Sequence, residues 1–180
     1  MAGDFQLLAL LGGALVGSAF ILFLLSNGLA AWSETKIDKL EITYGIWRQC
    51  IFTESEDDIP CADISCPSEN LPSSTCNKIL AARAFVILAC ILSGVSGTLS
   101  IIYCAMSGDK RLRRLLLTKK ALAIGSLITG IIGVALGISA TMTIQSDATL
   151  RLSDAAFIGI AAIGANLLGV IVTILIKPYF

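Results

Sequence analysis

Cysteine is the residue type with the most chemistry to offer in this chain. Of the six, Cys50, Cys61, Cys66 and Cys76 fall in one polar stretch, while Cys90 and Cys104 fall in an apolar one. Thiols in this number can hold a metal or close disulfides. Zinc is disfavoured: the four are separated by ten, four and nine residues rather than set in close pairs, and the chain has no histidine. An even, clustered set in an oxidising compartment reads as two disulfides, with three connectivities open to it. Cys50–Cys61 with Cys66–Cys76 needs only short closures and is the expected pairing. Cys90 reads as a small packing residue, and Cys104, near the end of its apolar stretch, as a candidate for palmitoylation. No nucleophile–base pair, metal set or phosphate loop is present, so neither an enzyme nor a cofactor is expected.

The second set that could do chemistry is acidic. Glu54, Glu56, Asp57 and Asp58 put four acids into five residues, Pro60 follows, and Asp63 lies just beyond. Such a run breaks any apolar pattern and predicts a solvated turn region. Its field would attract cations or a basic partner.

The elements that position these groups are set by where charge is missing. The chain is 56% hydrophobic and 14% charged, too apolar for an ordinary soluble domain. Residues 5–31, 84–106, 121–144 and 155–176 are almost free of charge. Each is long enough for a helix to cross about 30 Å of hydrocarbon, and helices satisfy their own backbone groups there. The reading is four spans, at 5–31, 81–106, 121–144 and 155–176, joined by loops at 32–80, 107–120 and 145–154, with a tail at 177–180. The loop 107–120 holds Lys110, Arg111, Arg113, Arg114, Lys119 and Lys120 against Asp109 alone. In the loop 32–80, Lys36, Lys39, Arg48 and Lys78 are outnumbered by nine acids. Excess Lys and Arg belongs on the cytosolic side. Both termini are therefore expected in the cytosol, and the acidic, cysteine-bearing loop outside. A cleaved signal peptide ending near Leu29-Ala30-Ala31 is not expected, because no basic residue precedes Lys36 and the apolar run is too long. Ala2 excludes N-myristoylation. No Asp, Glu, Lys or Arg lies mid-span, which argues against a transporter. Small residues at four-residue spacing (Gly13 and Gly17, Ser93 and Gly97, Gly133 and Gly137, with Ala161, Ala165 and Gly169) predict a closely packed left-handed bundle. The basic run at Arg111–Arg114 orients the chain and could also bind anionic lipid.

Within the outer loop, Leu40, Ile42, Tyr44 and Ile46 alternate with Glu41, Thr43 and Gly45, predicting a strand with one covered face. Residues 48–53 either continue it or begin a returning arm, and Pro67 and Pro72 argue against a long second hairpin. Trp32, then Gly45-Ile46-Trp47, then Cys50 and Cys61, is similar to the tryptophan, glycine–leucine–tryptophan and paired-cysteine signature of the claudin, peripheral myelin protein and epithelial membrane protein superfamily, with Ile46 in place of leucine. Ala82-Arg83-Ala84 resembles that family's entry into its second helix. The resemblance implies a four-helix membrane bundle carrying a small extracellular antiparallel sheet from the first loop, with a Cys50–Cys61 disulfide. In that frame Trp32 and Trp47 are expected at the membrane–water boundary, seating the sheet on the helices. Arg83 is expected to bury its stem and pair its head with a loop acid or carbonyls.

Departures from the pattern bear on function. The second outer loop is short, the four-residue tail leaves no room for a scaffold-binding motif, and Cys66 and Cys76 are additional. A short strand at 148–152 could extend the sheet. The resemblance implies a plasma-membrane protein of cell junctions, associating laterally and across contacts with itself or other membrane proteins, in a barrier or adhesive role. Glu54, Glu56, Asp57, Asp58 and Asp63 would then face ions or a partner. The second expectation is an auxiliary subunit of a channel or receptor, as the calcium-channel gamma subunits and AMPA-receptor regulatory proteins of that superfamily are. Membrane lipids are expected partners in either case, and nucleic acid is not.

Overall fold

The computed structural model describes residues 2–37, 40–53, 60–67, 71–105, 112–144 and 151–176. Four helices, α1 (Ala2–Gly28), α2 (Ser73–Ala105), α3 (Leu112–Thr143) and α4 (Asp154–Leu175), are each long and apolar enough to cross a membrane. They form a ring in which α1 packs on α2 and α4, and α3 packs on the same two. Much of the outer surface of this ring is aliphatic, with Leu10, Ile21, Ile101, Ile128 and Leu168 about half exposed or more. Contact between the helices rests on small side chains. Gly97 of α2 would meet the Gly17 backbone of α1 at 3.6 Å if it carried a Cβ. Gly133 of α3 lies so close to α2 that a Cβ would stand 2.9 Å from the Val86 backbone nitrogen. Such approaches gain dispersion contact where lipid removes the hydrophobic drive to associate.

Two helices begin well before the apolar stretches read from the sequence. Helix α2 starts behind Pro72, whose carbonyl accepts from the Thr75 and Cys76 amides. Its polar first turns keep Thr75, Cys76, Ile79 and Ala82 against the protein, so the helix pattern continues although the composition has changed. Helix α3 takes in most of the segment expected as a cytosolic loop. Leu116, Lys119 and Ala123 share its buried face, Lys119 being fully buried. Lys120 donates to the carbonyls of Ile174 and Ile176, closing the last turn of α4.

At the opposite end of the bundle sits a five-stranded antiparallel sheet in the order β4-β3-β2-β1-β5. Its strands are β1 (Ser33–Ile37), β2 (Leu40–Tyr44), β3 (Arg48–Thr53), β4 (Cys61–Asp63) and β5 (Arg151–Leu152). Residues 48–53 thus return as a separate arm, pairing Tyr44 with Gln49 and Leu40 with Thr53. The sheet is not built from the first loop alone, since β5 comes from the second and pairs with β1 through Ser33–Leu152. The largest core cluster lies where sheet and helices meet and includes Phe23, Trp32, Ile46, Val86 and Val134.

Candidate functional site

The junction of sheet and helix ends is built around the hairpin between β2 and β3. Its tip, Gly45-Ile46-Trp47, is pushed between the ends of α1 and α2, and each residue has a separate task. Gly45 has no room for a side chain: a Cβ would stand 2.7 Å from Ala30 Cα and 3.0 Å from the Arg48 carbonyl. Ile46 is fully buried and fills the core beneath the hairpin. Trp47 stays 39% exposed and donates its indole N–H to Asn27 Oδ1 at 2.9 Å, tying the hairpin to α1.

Arg83, nearly three turns into α2, completes the clamp. Its guanidinium donates to the carbonyls of Ile46 and Ile64, each at 2.7 Å, and lies 4.5 Å from the centre of the Trp47 ring. One fixed fork therefore bridges the hairpin tip, the segment after β4 and the aromatic anchor, a geometry lysine cannot copy. Asp63, a loop acid of the expected set, accepts from Arg48 Nε at 2.9 Å, with both side chains mostly in solvent.

Trp32 lies inside the protein, where the sheet is seated on the helices. It is fully buried, its indole N–H donates to the Ser26 carbonyl, and its ring lies so close to Gly137 of α3 that a Cβ there would stand 2.5 Å away. The missing side chain at Gly137 is what admits the ring. The backbone beside it gathers both connections at the sheet end: Trp32 N–H bonds the Tyr44 carbonyl, while the Ser153 and Ala155 amides bond the Trp32 and Ala31 carbonyls. Ser153 also donates to Glu34.

The disulfides are Cys50–Cys61, which ties β3 to β4, and Cys66–Cys76, which ties the segment after β4 to the first turn of α2. Cys90 is a buried free thiol on α2. Cys104 falls in the last turns of α2, and its side chain lies outside those described. So do Glu54, Glu56, Asp57 and Asp58, leaving Asp63 as the one described member of the acidic set; its side chain is 81% exposed. Among the described residues, no three His, Cys, Asp or Glu side chains converge as a metal site.

Several residues that carry the junction stood out in no motif. Asn27, a polar residue within the first apolar run, anchors Trp47. Ser26 holds the Ala155 carbonyl and the Trp32 indole. Deeper in the bundle, Asn166 of α4 donates to Ser126 of α3, which donates to the Ala89 carbonyl of α2, linking three helices by polar contacts. A polar residue isolated in an apolar run is the only signal the sequence offers for these. Compared with known proteins, the chain matches no family model, and no curated protein is significantly similar to it.

Proposed function

We propose that this chain is a claudin-like membrane protein whose sheet stands on the extracellular side and acts in cell–cell contact, by lateral and trans association, in an adhesive or barrier role at the plasma membrane. The observation that carries this reading is the contrast between the two margins of the sheet. The inner margin is locked to the helices by Arg83, Trp32, Trp47 and the Cys66–Cys76 bond. The opposite margin ends in β4, whose three residues are all exposed and which, among the described residues, pairs with β3 alone. A rigidly seated sheet with an open strand edge is a template for binding another chain. The excess of basic residues at the opposite end supports the orientation. With Asp63 and the acidic run before it, the exposed surface would favour cations or a basic partner. The role asks for no catalytic group.

The test is expression in cells that lack junctions, with two differently labelled populations mixed. Enrichment where expressing cells touch, with continuous strands in freeze-fracture, is the expected outcome. Uniform surface staining without strands would contradict it.

One observation favours the second reading, an auxiliary subunit packed on a channel or receptor. A groove of about 870 Å³ opens between α1 and α2, lined by Gly13, Gly17, Gly94 and Gly97 among aliphatic side chains. Gly17 has open space where a side chain would be. Such a face admits a foreign helix at close range. Co-purification with one large membrane protein in fixed ratio, lost on Gly17→Leu, would favour this role over self-association.

A further inference from the structure

A second hollow, about 620 Å³, lies beside the C-terminal end of α1, between Asn27, Leu29, Trp47, Arg48 and Asp63. Its size falls within the usual range for small-molecule sites, and its lining is chemically divided. Arg48 and Asp63 meet at 2.9 Å but remain 64% and 81% exposed, so each has bonding capacity left for a ligand. The Arg48 contact uses Nε, so the two amino groups of the fork can still donate. Because Asn27 Oδ1 accepts from Trp47, its amide nitrogen is a donor. The end of α1 adds partial negative charge beside Asp63. A wholly anionic or cationic ligand would satisfy half of this lining and oppose the other half.

The floor shows where the rest of the ligand lies. Ile21 and Leu25 on one face of α1, and Leu29 just past its end, recur every fourth residue and are 57%, 50% and 40% exposed. This aliphatic stripe runs up the helix and ends in the hollow, of which Leu29 is a part. We infer that the site holds a zwitterionic phospholipid, its phosphate on Arg48 and Asn27, its ammonium on Asp63 and the α1 terminus, and an acyl chain along Ile21, Leu25 and Leu29. The inference rests on the membrane placement proposed above, not on the contact role.

The experiment uses the full chain purified in detergent, with native mass spectrometry of bound phosphatidylcholine, phosphatidylglycerol and free phosphocholine. One saturable phosphatidylcholine adduct is expected, weakened about tenfold by R48Q and by D63N, the loss of one charge-assisted contact. Phosphatidylglycerol should bind more weakly to the unaltered chain and gain on D63N, and free phosphocholine should not compete at equal concentration. In the unaltered chain, a phosphatidylcholine spin-labelled at its headgroup should quench tryptophan emission, and W47F should abolish the effect, since Trp32 is fully buried. Adducts that never saturate, equal binding of both lipids, competition by free phosphocholine, or indifference to D63N would overturn the site. A chain that gathers at cell contacts without this adduct overturns the lipid site alone; one that holds the lipid but never gathers overturns the contact role alone.

Discussion

Gly45 and Arg83 show how much of the junction depends on single residues. At Gly45 the demand is for space, because the hairpin backbone runs against that of Ala30. Gly45→Ala is expected to cost about 1–3 kcal/mol, as overpacking at a site that cannot relax does. The check is the unfolding midpoint in detergent, which should fall with both disulfides still formed. Arg83 supplies two charge-assisted bonds to the Ile46 and Ile64 carbonyls of the connection that carries β2 to β4. Arg83→Ala should cost about 2–3 kcal/mol, and Arg83→Lys should recover the smaller part, since the ammonium keeps the charge but not the fork. A double-mutant cycle with Trp47→Ala isolates the ring contact, expected at about 0.5–1 kcal/mol. A coupling of zero would mean that the guanidinium and the indole are merely adjacent.

At the scale of elements, helix spacing and sheet seating are set by different means. Helices approach where side chains are missing, as Gly133 allows α3 to lie against Val86 of α2. Gly133→Leu should force these two apart and cost about 1–3 kcal/mol, or more if the bundle cannot adjust; the readout is again the midpoint in detergent. The sheet is held by disulfides with sequence separations of 11 and 10. Replacing either pair by serine should cost about 2–3 kcal/mol through the freedom returned to the unfolded chain. Loss of the Cys66–Cys76 bond should also expose the start of α2 to proteolysis, whereas loss of Cys50–Cys61 should loosen only β4.

The same scale explains what could be read in advance. Helices were legible because lipid-compatible spans need long uncharged runs, and β2 because Leu40, Ile42 and Tyr44 alternate with polar residues. Strand β1 was not legible: the positions on its buried side, Ser33 and Thr35, carry hydroxyls, so no apolar alternation marks them. The starts of α2 and α3 escaped because hydropathy registers composition, while a helix continues as long as its backbone bonds and one face find partners. At the site, the tryptophans, Arg83 and the cysteines were conspicuous by type and spacing. Asn27 and Ser26 were not, and the spacing of Gly137 marked it for close packing without showing that Trp32 is what packs there, since these roles depend on residues distant in the chain.

For the whole molecule, the two ends of the bundle are chemically unlike. One carries the disulfide-braced sheet and exposed Asp63; the other carries Arg114, Lys119 and Lys120 at the start of α3. Helix α2, at 33 residues, spans about 50 Å, well beyond the hydrocarbon thickness. Its surplus is the platform on which the sheet rests, and under the proposed placement the sheet stands in water rather than in lipid. The account therefore depends on the sheet end lying outside the cell. Single cysteines at two exposed positions, Ser74→Cys beside the sheet and Thr118→Cys at the far end, test this directly. They would be introduced with Cys90 and Cys104 replaced by alanine and probed on intact cells with a membrane-impermeant maleimide. Labelling of Ser74→Cys on intact cells, and of Thr118→Cys only after permeabilisation, is the predicted result; the reverse pattern, or labelling of both on intact cells, would contradict it.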